Sequence, residues 1–172
     1  MKNFILVFTI SLLMFSCENA PSNQVEASPK EIGFDISEGV RTPLYAGDMN
    51  SVAVWEKYIK AHNEKDIETI KGLNAAEGFK AYGPDGTIFN GTDAHIAFLT
   101  EWFNTNPKWE TKYLIANAFT SKDGKVKQYV TSGHDVTLMV DGKEVKVNQV
   151  HDALIVNGKV QTFYVNERVL VE

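Results

Sequence analysis

A chain of 172 residues with 44% apolar, 11% aromatic and 23% charged side chains can bury a core, which excludes wholesale disorder and collagen-like structure. The formal charge is −5, and −6 once the first sixteen residues, with one lysine and no acid, are set aside; no basic footprint for nucleic acid remains. One cysteine excludes an intrachain disulfide and a cysteine-based zinc site.

Met1-Lys2-Asn3 is a short basic start, followed by a mostly apolar run from Phe4 to Phe15, Ser16-Cys17, and the polar stretch Glu18 to Asn23. That is the layout of a signal peptide, and the apolar run is too short for a membrane span. A small residue followed by the chain's single cysteine resembles a bacterial lipoprotein lipobox, with Met14-Phe15 departing from the usual residues before it. The resemblance implies that residues 1–16 are removed and Cys17 becomes an N-terminus bearing palmitate-type acyl chains. It also implies attachment to a bacterial envelope membrane, the outer rather than the inner, facing the periplasm. Acyl chains contribute about 0.8 kcal/mol per buried methylene, so several hold a protein there durably. Residues 17–47, with three of the five prolines, read as the acylated residue and a tether, whose last part docks through Phe34, Ile36, Val40 and Leu44-Tyr45.

The domain is expected over residues 48–172. Asp48 or Asn50 caps a helix carrying Val52, Trp55, Tyr58-Ile59 and His62 at helical spacing. Asp66 caps a second helix with Ile67, Ile70 and Leu73. Phe79 to Tyr82 is strand-like, Pro84-Asp85-Gly86 turns, and Ile88-Phe89 follows. After Asn90-Gly91, Thr92 or Asp93 caps a third helix with Ile96, Phe98-Leu99, Trp102 and Phe103. The remainder predicts four strands, Glu110–Thr120, Lys125–Val140, Lys143–Val156 and Lys159–Val171. They are joined at Asp123-Gly124, Asp141-Gly142 and Asn157-Gly158, which are strong hairpin signals. Helices followed by an antiparallel meander make an α+β domain.

The hairpins predict which side chains share a face. A two-residue turn at Asp141-Gly142 sets Val136 against Val147 and Leu138 against Val145. Continued unbroken, that register divides the apolar residues between both faces. One extra residue at Asn148-Gln149, a β-bulge, gathers them on one face and sets Ser132 against Asp152. The turn at Asn157-Gly158 then puts Asp152 opposite Phe163. On this reading His134 and Asp152 are diagonal neighbours on a concave face, about 5–7 Å apart at Cβ. The carboxylate would orient the imidazole and raise its pKa; the alternative is a hydrogen-bonded polar pair in a wet cavity. His62 needs no role beyond the helix dipole, His95 lies in the first turn of the third helix, and His151 projects to the other face. His134 and Asp152 supply only two convergent ligands, so no metal and no cofactor is expected.

The helix with Trp55 and Tyr58-Ile59, Asp66-Ile67-Glu68, Pro84-Asp85-Gly86, Asn90-Gly91-Thr92, Val150-His151-Asp152 and Asn157-Gly158-Lys159-Val160 occur in an informative order. In that order they resemble the nuclear-transport-factor-2-like (NTF2-like, also called SnoaL-like) superfamily. The resemblance implies a cone of three N-terminal helices packed on a strongly curved antiparallel sheet around a pocket, with homodimers formed through the outer sheet face. Against the ketosteroid isomerase branch, Tyr58 and Asp152 match the oxyanion-hole tyrosine and acid. The general-base position is Tyr82, which excludes that activity. Tyr58, Tyr82, His134 and Asp152 also look like part of a scytalone-dehydratase-like set.

The combined expectation is a membrane-anchored protein binding a small, largely apolar molecule, with Tyr82, Trp102, Phe98 and Phe163 as the ligand-contacting residues. A lyase or isomerase on the same pocket would use His134 as base, Asp152 as its partner and Tyr58 as oxyanion donor. A dimeric interaction module without a ligand is the third possibility.

Overall fold

The computed structural model describes residues 29–170. The leader, Cys17, the first part of the tether and Val171 lie outside them. The elements in chain order are β1 (Glu31–Ser37), β2 (Val40–Ala46), α1 (Met49–Glu64), α2 (Ile67–Leu73), β3 (Lys80–Tyr82), β4 (Ile88–Asn90) and α3 (Thr92–Trp102). After a 3-10 turn over Phe103–Thr105 come β5 (Lys108–Thr120), β6 (Val126–Val140), β7 (Lys143–Val156) and β8 (Lys159–Val169). One eight-stranded sheet, ordered β1-β2-β5-β6-β7-β8-β3-β4, carries the helices on one face. Every pairing is antiparallel except β3 with β8.

The local chemistry explains the helix ends. Asp48 caps α1 by accepting from the Asn50 backbone N–H at 2.9 Å, and Asp66 caps α2 by accepting from that of Thr69 at 3.0 Å. The third helix differs from expectation. Its cap is Gly91, at φ 86°, with Thr92 and Asp93 already inside the helix. A glycine takes that backbone conformation without the clash a side chain would bring.

Two sequence expectations about the amino-terminal half are corrected. The helices do not precede the sheet, because the β1–β2 hairpin comes first. Residues 31–46, assigned to the tether, form that hairpin around a Glu38-Gly39 turn, and Tyr45 and Ala46 pair with Ala118 and Asn117 of β5.

The expected bulge in β7 is absent. Pairing of β6 with β7 runs in one register from Val140↔Lys143 to Gln128↔Ile155, and places His134 opposite Gln149. Among β5 to β8 the irregularities lie instead in β5, between Thr111 and Tyr113, and in β8, where Gln161 is the extra residue between Val160 and Thr162. Bulges at those positions bend the sheet. Unbroken alternation along β7 turns Val147, Gln149, His151, Ala153 and Ile155 inward, where they are buried, and leaves Val150, Asp152 and Leu154 on the outer, half-buried side. The inner face joins Trp55, Ile59, Ile70, Phe79, Leu99, Val130, Val136 and Val160 in the core.

Candidate functional site

Between α1, α3 and the inner faces of β7 and β8 lies a cavity of about 430 Å³, within the range of small-molecule sites. From α1 it is lined by Trp55, Tyr58, Ile59 and His62, which recur every three or four residues and so share a face. From α3 come His95, Phe98, Leu99 and Trp102, and Trp109 opens β5. The sheet floor consists of Gln149 and His151 with Phe163, Val165 and Glu167. The exposed turn residues Pro84, Asp85 and Thr87 line one end, so the cavity reaches solvent there. Its charged members are Asp85 and Glu167; among the described residues neither lysine nor arginine lines it.

All four histidines are buried, and three of them line the cavity. His62 donates from Nδ1 to the Tyr58 carbonyl at 2.8 Å, and burial pushes its pKa down to about 4. It is therefore neutral at pH 7 and is no cation for the helix dipole. His95, packed among Phe79, Phe89 and Phe163, is pushed down to about 3 by burial and then by His62. Burial, then His134 and His62, holds His151 well below the usual imidazole range. The ring nitrogens Nδ1 of His95 and His151 are buried without a hydrogen-bond partner among the described residues.

Tyr58, Trp102, Phe98 and Phe163 line the cavity. Tyr58 is fully buried, stacks on Trp55 at 5.1 Å, and spends its phenolic proton on Asn74 Oδ1 at 2.7 Å. Donation to an oxyanion would require breaking that bond. Tyr82 stands at the cavity end, but it pairs with Tyr164 and its ring stacks there at 4.5 Å. Alternation puts this stack on the sheet face opposite Ala81 and Phe163.

The expected His134–Asp152 pair does not form. His134 faces inward and is fully buried, with Nε2 at 2.8 Å from Ser132 Oγ and Nδ1 at 3.1 Å from Thr111 Oγ1. Asp152 faces outward and accepts from Thr131 Oγ1 at 2.7 Å. With no carboxylate beside it, the His134 pKa moves opposite to the expected direction, down to about 4 through burial. His134 lies behind the cavity wall, its ring 4.7 Å from that of His151. The match of Asp152 to an oxyanion-hole acid fails for the same reason.

The residues missed by sequence reasoning are His62, His95, His151, Gln149, Trp109 and Glu167. The signal for Gln149 and His151 was the unbroken period-two pattern that starts at the Asp141-Gly142 turn. No three of the described His, Cys, Asp and Glu side chains are grouped to hold a metal ion.

No family model and no curated protein matches this sequence. Solved structures do. A putative ketosteroid isomerase from Kribbella flavida superposes with a TM-score of 0.58 at 16% identity, covering 74% of this chain and 84% of that one. A nuclear-transport-factor-2-like protein of unknown function from Burkholderia pseudomallei gives 0.54 at 20%, covering 69% and 91%. A putative SnoaL-like polyketide cyclase from Jannaschia gives 0.56 at 13%, covering 70% and 86%. Identities this low speak to architecture. The domain has the NTF2-like (SnoaL-like) fold, three helices on a large, curved, mostly antiparallel sheet.

Proposed function

We propose that the domain binds a small, largely apolar molecule in the cavity between its helices and sheet. The observation that carries this is the cavity itself: about 430 Å³, walled by aromatic rings, open at one end, with a few convergent polar groups. Binding is favoured over lyase or isomerase chemistry because His134 and Asp152 stand on opposite faces and the Tyr58 hydroxyl is engaged by Asn74. Indene, an apolar bicycle, is the test probe. Calorimetry is expected to show saturable binding, lost in Val165→Trp, which fills the space, while that variant keeps its melting temperature. Equal binding by both proteins would place the ligand elsewhere.

The proposal extends to location. The leader and Cys17 support a protein held by acyl chains in a bacterial envelope, facing the periplasm. Labelled palmitate fed to the host is expected to enter the full-length protein and not Cys17→Ala; label in both would reject the anchor. Exposed Tyr113, Ile115 and Tyr164 on the outer sheet face support pairing of two copies there. A monomer at every concentration in sedimentation equilibrium would remove that element.

A further inference from the structure

Two imidazoles in the cavity wall have their tautomers set by oxygen partners that can only accept. His62 Nδ1 lies 2.8 Å from the carbonyl of Tyr58, so the ring hydrogen sits on Nδ1. Its Nε2 is then a bare acceptor, with no hydrogen bond to a described residue. His151 Nε2 lies 2.9 Å from Gln149 Oε1. That same oxygen accepts from the Trp109 indole N–H at 3.0 Å, and Gln149 Nε2 donates to Glu167 Oε2 at 2.8 Å. An indole nitrogen cannot accept and a carboxylate cannot donate, so the amide cannot be turned round. His151 therefore carries its hydrogen on Nε2, and its buried Nδ1 is an acceptor without a partner.

His151 Nδ1 is closed off from the cavity by the side chains around it, so the acceptor a guest can reach is His62 Nε2, which a bound molecule satisfies by supplying a donor worth about 1–3 kcal/mol. Among the described residues, the charged side chains lining the cavity are acids. An anionic ligand would set its own lone pairs against that bare nitrogen and the carboxylates, with no cation to offset them.

We infer that the cavity selects non-anionic molecules with a flat apolar body and a hydrogen-bond donor, an N–H or O–H that the bare Nε2 of His62 accepts. This deepens the binding reading above and rests on it. Indole, indene and an indole carboxylate share one bicyclic frame and differ in donor and charge.

Calorimetry on the full-length protein is expected to rank indole about tenfold tighter than indene, the worth of one good hydrogen bond. The carboxylate is expected to be weakest. In His62→Phe, indole and indene should bind alike. Should that variant not fold, nitrogen NMR of the wild-type histidine rings decides. The unprotonated Nε2 resonance of His62 is expected to move toward the hydrogen-bonded range with indole and not with indene. Equal binding of indole and indene, tight binding of the carboxylate, or a His62 Nε2 indifferent to indole would overturn the inference and leave the binding reading standing. No binding by any probe would remove both.

Discussion

Gln149 shows how much one side chain organises here. Its oxygen accepts from Trp109 and His151, and its nitrogen donates to Glu167. Gln149→Leu would strand two buried donors and one carboxylate, at an expected cost of about 2–4 kcal/mol, read as a lower urea midpoint at unchanged slope. A loss under about 0.5 kcal/mol, typical of an unimportant surface change, would show that the three partners find substitutes. At this scale the helix-borne aromatic residues were the legible ones, whereas His62 and His95 on the same helices were not. Trp55, Tyr58, Phe98 and Trp102 lie on faces that the 3.6-residue period defines without reference to the rest of the fold. Asp152 and His151 were exchanged because the side of a strand residue depends on parity, which a single assumed insertion reverses.

The elements show why that insertion was assumed. The strands carry apolar residues on both faces: Tyr113, Ile115, Tyr129, Val150, Leu154 and Tyr164 outside, and Val130, Val136, Val147 and Phe163 inside. Requiring a single apolar face therefore forced a bulge into β7 that the type I′ turn at Asp141-Gly142 neither needs nor makes, both residues having positive φ. The helices and the hairpins that join β5 to β8 were readable from period and turn chemistry; the parallel pairing of β3 with β8 was not. The β1–β2 hairpin was not, since prolines and scattered apolar residues read as a linker. Its seat on the sheet is tight: a Cβ on Gly47 would lie 2.7 Å from the Asn117 backbone nitrogen. Gly47→Ala is expected to cost about 1–3 kcal/mol by overpacking, measured by thermal or urea unfolding. An unchanged midpoint would show that the hairpin seats loosely.

For the molecule as a whole, four neutral buried histidines make stability depend on pH. An unfolded histidine titrates near 6.5, whereas His62 and His134 are lowered to about 4, His95 to about 3, and His151 well below its usual range. Between those values the unfolded chain binds more protons, so stability rises with pH there. The contribution is full above about pH 7 and shrinks as pH falls from 6.5 toward 4, with a slope approaching about 1.4 kcal/mol per unit for each histidine. The cap carboxylates Asp48 and Asp66, held below the ordinary value by their cap hydrogen bonds, enter only at lower pH. Urea midpoints measured from pH 7.5 to 4.5 should fall steeply; a flat profile would mean that the rings are protonated in the native state.

The placement of the tryptophans has an optical consequence. The chain has three, Trp55, Trp102 and Trp109, and all of them border the cavity. Intrinsic emission is therefore a built-in reporter of occupancy. Any non-absorbing guest that displaces solvent from those rings should shift the whole tryptophan emission band, with no silent tryptophan elsewhere to dilute the signal.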